Sequence, residues 1–397
     1  MRKIISLRML AWTFAGLAAI ILLILAVWVA IAGPVTVLRL LRYGDTDIAD
    51  FQHYPFRRLA ASLSPFSFID GTGARRVPGK VTLAGGEPVR LDNLLAANDS
   101  IAFLVIKDNA ILYERYFQDH TPTSLSQAFS VSKSFMATLI GAALHDGILK
   151  SVDQPVTDYL PELAGNGFGR VTIRHLLTMT SGSDYIENDN PFGIHVILNF
   201  TPDLAAELAG VRVRDEPGKV FRYKSGDNAL LAIILDRALG SETVSDYTQR
   251  ALWVPLGMEQ EGMWSLDREG GMEKTWCCLA ATARDLAKLG RLYLRDGDWY
   301  GQRIFDPEWT VEAVKEGAIP ETDWPEEFAS IGLWNYGYQW WLVSKEEGDF
   351  LALGKDGQYL YANPTTDLIV LRLGWSQGDL PTSQWLALFR QLSQVVR

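Results

Sequence analysis

Ser130 and Lys133 lie three residues apart at the start of a long apolar segment, in the stretch AFSVSKSF at residues 128–135. Residues three apart share one face of an α-helix, so the serine hydroxyl and the lysine amine can meet. A serine hydroxyl is a weak nucleophile until a neighbouring base takes its proton, and a lysine can be that base when burial lowers its pKa. The apolar continuation FMATLIGAALHDGIL at 135–149 predicts that burial. The pair is therefore a candidate nucleophile with its base.

The same pair has a simpler, purely structural interpretation. Serine is common at helix N-caps, and the aliphatic stem of a lysine can lie along an apolar surface while its amine reaches water. Taken alone, Ser130 and Lys133 fit that role better than a catalytic one. Other motifs in the chain must decide between the two.

Two motifs follow Ser130 at a distance. Tyr-Lys-Ser at 223–225 lies in PGKVFRYKSGDN, and Lys-Asp-Gly at 355–357 lies in LGKDGQYLY. A Ser-x-x-Lys pair with two later motifs is the signature of serine β-lactamases and penicillin-binding proteins. With VTIRHLLTMTSGSDY at 171–185, these motifs make the chain resemble the β-lactamase-related serine hydrolases (penicillin-binding protein and class C β-lactamase-like superfamily). The resemblance is closest to the 6-aminohexanoate-dimer hydrolases and related carboxylesterases, and it covers about residues 95–395.

This resemblance implies a reaction through an acyl-enzyme on Ser130, with Lys133 holding or receiving the serine proton. Tyr223 would pass a proton to the leaving group and then help to activate water. The substrate would be a small-molecule or peptide-like amide or ester, and no cofactor or metal is expected. D-Ala-D-Ala carboxypeptidase or β-lactamase activity is one alternative. A non-catalytic member of the fold that binds cell wall or peptide is another, and the intact Ser-Lys-Tyr set disfavours it.

The resemblance also implies a group of substrate-binding residues around Ser130, namely Ser225, Lys355, Gly357, Gln358 and Tyr185. The backbone N–H groups of Ser130 and Gln358 would form the oxyanion hole. Plainer roles stay open for the side chains. Ser225 fits a helix N-cap, Lys355 a charged turn, and Tyr185 the packing of a loop. Tyr223 could also be a half-buried aromatic residue in a helix-entry loop, but the catalytic role is favoured.

Two acidic residues complicate the pattern. Asp356 stands in the third motif where Thr or Ser is often found, and its negative charge weakens the expectation of a β-lactam substrate with a free carboxylate unless Lys355 compensates. Glu187 lies in a loop with no supporting motif. No dedicated deacylating glutamate can be assigned from the sequence.

The five histidines could supply a competing Ser-His-Asp triad, which the order of residues alone does not exclude. None lies in a Gly-x-Ser-x-Gly or His-Glu-x-x-His context, so metal catalysis is poorly supported. His175, in TIRHLLTM, follows an apolar helical pattern and is expected to be structural.

The elements that must position these residues can be read from hydrophobic periodicity. The segment IAFLVIKDNAILYERYF at 101–117 predicts an antiparallel hairpin, and the middle of the chain, about 150–330, is helix-rich. Further strands are expected at 336–343, 349–354, 358–364 and 367–374, followed by a helix at 382–396. Strands at both ends of the catalytic region must meet in one sheet, which predicts an α+β, β-lactamase-like fold: an antiparallel sheet flanked by helices plus a helix-rich subdomain.

The composition is that of a globular protein with little affinity for nucleic acid. The 397 residues carry a net charge of −10 and form no basic stripe that could follow a phosphate backbone. The two cysteines, Cys277 and Cys278, are adjacent and cannot close a long loop. A bond between them is expected to be strained.

Residues 9–38 contain no charged residue, whereas roughly 20 apolar residues suffice to cross a bilayer. We therefore expect an N-terminal membrane anchor at 1–38, a juxtamembrane connector at 39–94 and the hydrolase domain at 95–397. A cleaved signal peptide is the main alternative, and a buried soluble helix a weaker one. Three cations before the segment, Arg2, Lys3 and Arg8, favour an extracytoplasmic catalytic domain, periplasmic in a bacterium.

Overall fold

The computed structural model of the protein describes residues 7–73, 77–83 and 86–396. The helices are α1 (Leu7–Ala32), α2 (Pro34–Tyr43), α3 (Leu91–Ala97), α4 (Val131–His145), α5 (Ile173–Leu177), α6 (Ile194–Phe200), α7 (Leu204–Leu208), α8 (Ser225–Leu239), α9 (Val244–Thr248), α10 (Ala283–Leu294), α11 (Pro307–Thr310), α12 (Glu326–Ala329) and α13 (Thr382–Val395). The strands are β1 (Phe56–Leu59), β2 (Ile69–Asp70), β3 (Lys80–Val81), β4 (Val89–Arg90), β5 (Ser100–Lys107), β6 (Ala110–Tyr116), β7 (Ser126–Gln127), β8 (Gly262–Ser265), β9 (Leu279–Ala281), β10 (Asp298–Trp299), β11 (Gln302–Arg303), β12 (Asn335–Tyr336), β13 (Trp341–Leu342), β14 (Phe350–Gly354), β15 (Gln358–Asn363) and β16 (Leu368–Gly374).

The main sheet joins the two ends of the catalytic region. Its order is β12-β13-β14-β15-β16-β5-β6-β2, and its neighbours are antiparallel except β2 beside β6. The β5–β6 hairpin turns at Asp108 and Asn109, both of which have positive φ. The predicted α+β fold is confirmed. The single strand expected over 336–343 is wrong, because Gln339, with φ 61°, bends the chain between β12 and β13.

Two hydrophobic cores lie on the two faces of the main sheet. Successive strand side chains point to opposite faces, so Leu104 and Ile106 of β5 enter one core while Phe103 and Val105 enter the other. The first core holds α4, α8 and α10, and the second is covered by α3 and α13. Helix α4 is buried from Val131 through Ala143, as its apolar sequence predicts for a helix at the centre of a core. The Ser130 segment is thereby anchored in the middle of the molecule.

A second, smaller sheet has the order β1-β8-β9-β7. Strand β1 comes from the connector, and β7 leads directly into α4. The connector therefore contributes strands to both sheets, through β1 and β2. The boundary at residue 95 stays a prediction, but the residues before it are integrated into the fold.

The N-terminal helix α1 contains one span, Ala11–Ala32, that is long and apolar enough to cross a membrane, and it is almost entirely exposed. By length and composition it fits either an anchor or a signal sequence. Gly33, with φ 79°, ends α1, and Pro34 begins α2. Arg2 and Lys3, on which the expected orientation depends, lie outside the described residues.

Candidate active site

Ser130 occupies a sharp turn between β7 and α4. It is the N-cap residue of α4, and Phe129 before it has φ 45°, an uncommon backbone conformation for a residue with a side chain. Strand β14 passes close to this turn, because a Cβ atom on Gly354 would lie 2.7 Å from the carbonyl oxygen of Ala128. The turn therefore presents Ser130 beside the start of the third motif.

Lys133 points at Ser130 from one helical turn away. Its Nζ donates to Ser130 Oγ at 2.7 Å and to the carbonyl oxygen of Trp276 at 3.0 Å. Burial lowers the pKa of Lys133 to about 8, although the negative charge of Glu187 acts in the opposite direction. The Ser130 side chain makes no capping hydrogen bond, and Lys133 is 1% exposed. The purely structural interpretation of a cap and a solvated amine does not describe this pair.

Tyr223 lies two residues before α8 and faces the same pair. Its ring stacks on Trp341 with centroids 5.4 Å apart, and Lys133 Nζ lies 4.9 Å from the Tyr223 centroid. Burial raises the pKa of Tyr223, and the charge of Glu187 adds to that effect, while a hydrogen bond with Ser130 opposes it. The raised pKa keeps Tyr223 protonated as a neutral phenol.

Ser225 does not cap α8, because the helix begins at Ser225 itself and Lys224 is the N-cap residue. Its hydroxyl donates instead to Glu187 Oε1, and its backbone N–H donates to Glu187 Oε2, both at 2.7 Å. Burial alone would raise the pKa of Glu187. A hydrogen bond with His195 and the charge of Lys133 hold that pKa below its ordinary value. Glu187 is thus an ionised carboxylate at the centre of the site.

Tyr185 is buried beneath the site. Its hydroxyl lies 2.9 Å from His195 Nδ1, and His195 Nδ1 lies 3.3 Å from Glu187 Oε2. A Cβ atom on Gly226 would lie 2.5 Å from the Tyr185 ring, so a glycine at the start of α8 allows the close approach. Tyr185 packs in the loop and also lines the cavity described below.

The third motif forms the turn between β14 and β15. Asp356 and Gly357 both have positive φ, and a side chain on Gly357 would collide with the guanidinium of Arg372. The side chain of Gln358 is fully buried and donates through Nε2 to the carbonyl oxygen of Gly374 at 2.8 Å. The backbone N–H of Gln358 donates to the carbonyl oxygen of Lys355. In this conformation the Gln358 N–H, the expected second donor of the oxyanion hole, is already hydrogen-bonded within the turn.

The Lys355 side chain contacts the connector. Its Nζ donates to Asp45 Oδ1 at 2.8 Å, to the carbonyl oxygen of Thr46 at 2.7 Å and to Thr46 Oγ1 at 3.0 Å. Both side chains are exposed, and Lys355 lies at the entrance to the site. Residues that follow the proposed anchor therefore neutralise and orient the lysine of the third motif.

Two cavities meet at Ser130. One, of about 550 Å³, is mostly apolar and is lined on its walls by Phe221, Tyr223, Phe328, Trp341 and Leu353. The other, of about 330 Å³, is here called the polar cavity because most of its lining residues are polar, including Asp50, Glu187, Asp189, His195, Asn199, Ser225 and Lys274. A scissile bond at Ser130 would therefore place one side of a substrate against aromatic surface and the other among polar groups.

A disulfide joins Cys277 to Cys278, and this pair lines the polar cavity. Lys274, from the same loop, is buried, and its Nζ donates to the carbonyl oxygen of Asn199 at 2.7 Å. Burial lowers the pKa of Lys274 to about 7. The loop that carries these residues also supplies the Trp276 carbonyl that binds Lys133.

Sequence reasoning located the motif residues but missed their partners. Glu187 and His195 had no motif, and the only signal was the position of Glu187 in the polar loop after TSG and of His195 directly after that loop, at the start of α6. Asp45, Thr46 and Asp50 lie in the segment assigned as a connector. His175 is structural, as expected, because its Nδ1 accepts from the Thr172 backbone N–H at 3.1 Å in a capping box. Within the described residues no cluster of His, Cys, Asp or Glu could hold a metal ion.

Comparison with known proteins agrees with this geometry. The family model described as Beta-lactamase matches residues 91–384. A 6-aminohexanoate-dimer hydrolase from Paenarthrobacter ureafaciens is 31% identical over 369 residues, covering 86% of this chain and 91% of the relative.

Solved structures share the fold. One from Bacillus anthracis, which carries the name of 6-aminohexanoate-dimer hydrolase, aligns with a TM-score of 0.71 at 20% identity, over 88% of this chain and 95% of the other. A family VIII carboxylesterase aligns with a TM-score of 0.59 at 15% identity, over 76% and 95%. The chain belongs to the beta-lactamase family and is a serine hydrolase.

Proposed function

We propose that the protein hydrolyses an amide or ester bond through an acyl-enzyme on Ser130, in the manner of 6-aminohexanoate-dimer hydrolases and carboxylesterases. The observation that carries this proposal is the 2.7 Å contact between Lys133 Nζ and Ser130 Oγ, inside a core that lowers the pKa of the lysine to about 8. A lysine with such a pKa is partly neutral near neutral pH and can take the serine proton.

In the acylation step Ser130 Oγ bonds to the substrate carbonyl carbon while its proton passes to Lys133 Nζ. The bond to the leaving nitrogen or oxygen then breaks, and Tyr223 donates a proton to that atom as it regains one from Lys133. Water next attacks the ester carbonyl, gives its proton to the same relay and releases the acid with Ser130 restored. The raised pKa of Tyr223 supports this role, because a relay must hold a proton to donate it.

The developing oxyanion would bind the backbone N–H groups of Ser130 and Gln358. The Ser130 N–H lies at the N-terminus of α4, where the helix dipole favours negative charge. The Gln358 N–H must exchange its hydrogen bond to Lys355 for one to the substrate, so the turn at 355–357 has to adjust when substrate binds. Ser225, Lys355, Gly357 and Tyr185 would position the substrate around that centre.

Amide or ester substrates whose binding requires no contact between a carboxylate and Lys355 fit better than β-lactams. Lys355 already contacts Asp45, and Asp356 adds a second acidic group beside it. We further propose that residues 1–38 anchor the protein and that the catalytic domain, at 95–397 beyond the connector, faces the extracytoplasmic side.

Intact-mass measurement of the detergent-solubilised full chain tests the function. A fluorophosphonate should add one phosphonyl group to the wild-type protein and none to Ser130→Ala, whereas a fluorescent penicillin should label weakly or not at all. Strong penicillin labelling would redirect the proposal to β-lactam chemistry. No adduct with either reagent in folded protein would refute it. Release of free amine from 6-aminohexanoate dimer, compared with hydrolysis of a p-nitrophenyl ester, then separates amidase from esterase.

A further inference from the structure

Helix α2 has its apolar face on the outside. Val35, Leu38 and Leu41 are 44%, 64% and 60% exposed, and the 100° step of a helix places them on one side. The opposite side, which packs against the protein, holds Thr36 and Val37. A soluble amphipathic helix shows the reverse arrangement, with apolar residues inward.

One of the two arginines of α2, Arg39, points inward. Arg39 Nη1 donates to the carbonyl oxygens of Phe200, Thr201 and Asp267, at 3.1, 3.1 and 2.7 Å. These contacts hold α2 on α6 and fix which side faces outward. The exposed aliphatic stripe is therefore a stable feature of the fold and not the loose side of a mobile helix.

The stripe continues from the proposed membrane span. Only Gly33 separates α1 from α2, and the last turns of α1 contact the loop before α6. Trp28 Nε1 donates to the carbonyl oxygen of Pro191 at 2.9 Å, and its ring lies 5.4 Å from that of Phe192. Tryptophan near the end of a span is typical of the interface between hydrocarbon and headgroups.

A line of cavities connects α2 with Ser130. Leu40 and Gly44, at the end of α2, line a cavity of about 470 Å³ together with Thr46, His195 and Lys355. The last three residues also line the polar cavity that contains Ser130. The catalytic site therefore connects to the end of α2, on the side of the helix that carries Leu40, one residue before Leu41 of the exposed stripe.

We propose that α2 lies in the headgroup layer of the bilayer, with Val35, Leu38 and Leu41 facing the acyl chains, so that the Ser130 site opens at the membrane surface and takes amphiphilic amide or ester substrates from it. Exposed Arg42 on the same face suits contact with lipid phosphates. The occupant is a lipid surface because the stripe directly follows the span. The inference rests on the proposed hydrolase function and on the proposed anchor. The experiments below test each of these two proposals separately.

Depth measurements on the full chain in phosphatidylcholine–phosphatidylglycerol vesicles test the placement. Leu38→Cys and Leu41→Cys each carry an environment-sensitive fluorophore, with Val395→Cys as the matched control. Val395 is 49% exposed on α13, across the main sheet from α4, and the native cysteines are paired in a disulfide. We expect lipids with a nitroxide high on the acyl chain to quench the probes at 38 and 41, and aqueous iodide to quench only the probe at 395.

Probes at 38 and 41 that behave like the probe at 395 would overturn the proposal, as would a chain that does not stay with the vesicles. Disulfide cross-linking between two Leu38→Cys chains in vesicles would also overturn it, because a second copy would then cover the stripe.

Kinetics test the consequence for substrate. For the double variant Leu38→Ser with Leu41→Ser, we expect unchanged turnover of a short water-soluble ester. Turnover of a long-chain ester embedded in the same vesicles should fall about tenfold, since two buried leucines contribute at least that factor to interfacial contact. If the double variant turned over the long-chain ester as fast as the wild type does, interfacial substrate capture would be refuted. Absent turnover of the soluble ester by the wild type would instead refute the hydrolase function.

Discussion

Glu187 accepts hydrogen bonds from both donors of Ser225, the hydroxyl on Oε1 and the backbone N–H on Oε2, each at 2.7 Å. One carboxylate thus fixes the start of α8 and, through its charge, acts on Lys133 and Tyr223. The second motif of the site is held by a residue that no motif identifies.

The pKa of Lys133 determines the expected pH dependence of the reaction. Its pKa is lowered to about 8 from an ordinary 10.5, and only the neutral amine can take the serine proton. The neutral fraction rises as pH rises, so kcat/KM for a soluble ester should increase with a midpoint near 8 and then level off. Lys133→Met should lower kcat/KM by about 10²- to 10⁴-fold and abolish this limb. A midpoint near 10.5, or an unaltered profile in Lys133→Met, would contradict the assignment.

Glu187→Gln should move that midpoint to lower pH. The carboxylate raises the pKa of Lys133, so removing its charge favours the neutral amine. Glu187→Asp, which keeps the charge, is the control and should leave the midpoint closer to that of the wild type. The measurement is kcat/KM against pH for the three proteins. An unchanged or higher midpoint in Glu187→Gln would contradict the expected action of this charge on Lys133.

Asp45→Asn should favour anionic ligands. Asp45 neutralises Lys355 at the entrance of the site, and exposed ion pairs of this kind are worth about 0.2–1 kcal/mol. The rate of acylation by an ester that carries a carboxylate, relative to that by its neutral analogue, should therefore rise by up to about fivefold. Lys355→Met should lower the same ratio. A ratio that is unchanged in both variants would remove Lys355 from substrate recognition.

Gly226→Ala and Tyr185→Phe separate packing from hydrogen bonding beneath the site. The alanine Cβ would lie 2.5 Å from the Tyr185 ring, so Gly226→Ala should destabilise the protein by about 1–3 kcal/mol. Tyr185→Phe keeps the ring and loses only the contact with His195, which should cost about 1 kcal/mol. Thermal unfolding of the solubilised full chain measures both. Equal stability of Gly226→Ala and wild type would mean that the ring moves freely.

Much of the fold could be predicted from the sequence because hydrophobic periodicity and the order of motifs are visible in the linear chain. The β5–β6 hairpin, the buried helix α4 and the four C-terminal strand segments follow from local patterns, and only the break at Gln339 within the first of them was missed. The hypothesis that Ser130 and Lys133 act together likewise depends on a three-residue spacing that every helix converts into proximity.

By itself, the sequence determined the fold class, the candidate nucleophile with its base, and the presence of a long uncharged segment at the N-terminus. Only the tertiary structure decided what surrounds them. Glu187 and Lys355 acquire their roles from partners 38 and 310 residues away, Ser225 and Asp45. Such partners leave no periodic signal, because polar contacts across loops depend on where the packed core brings the chain back.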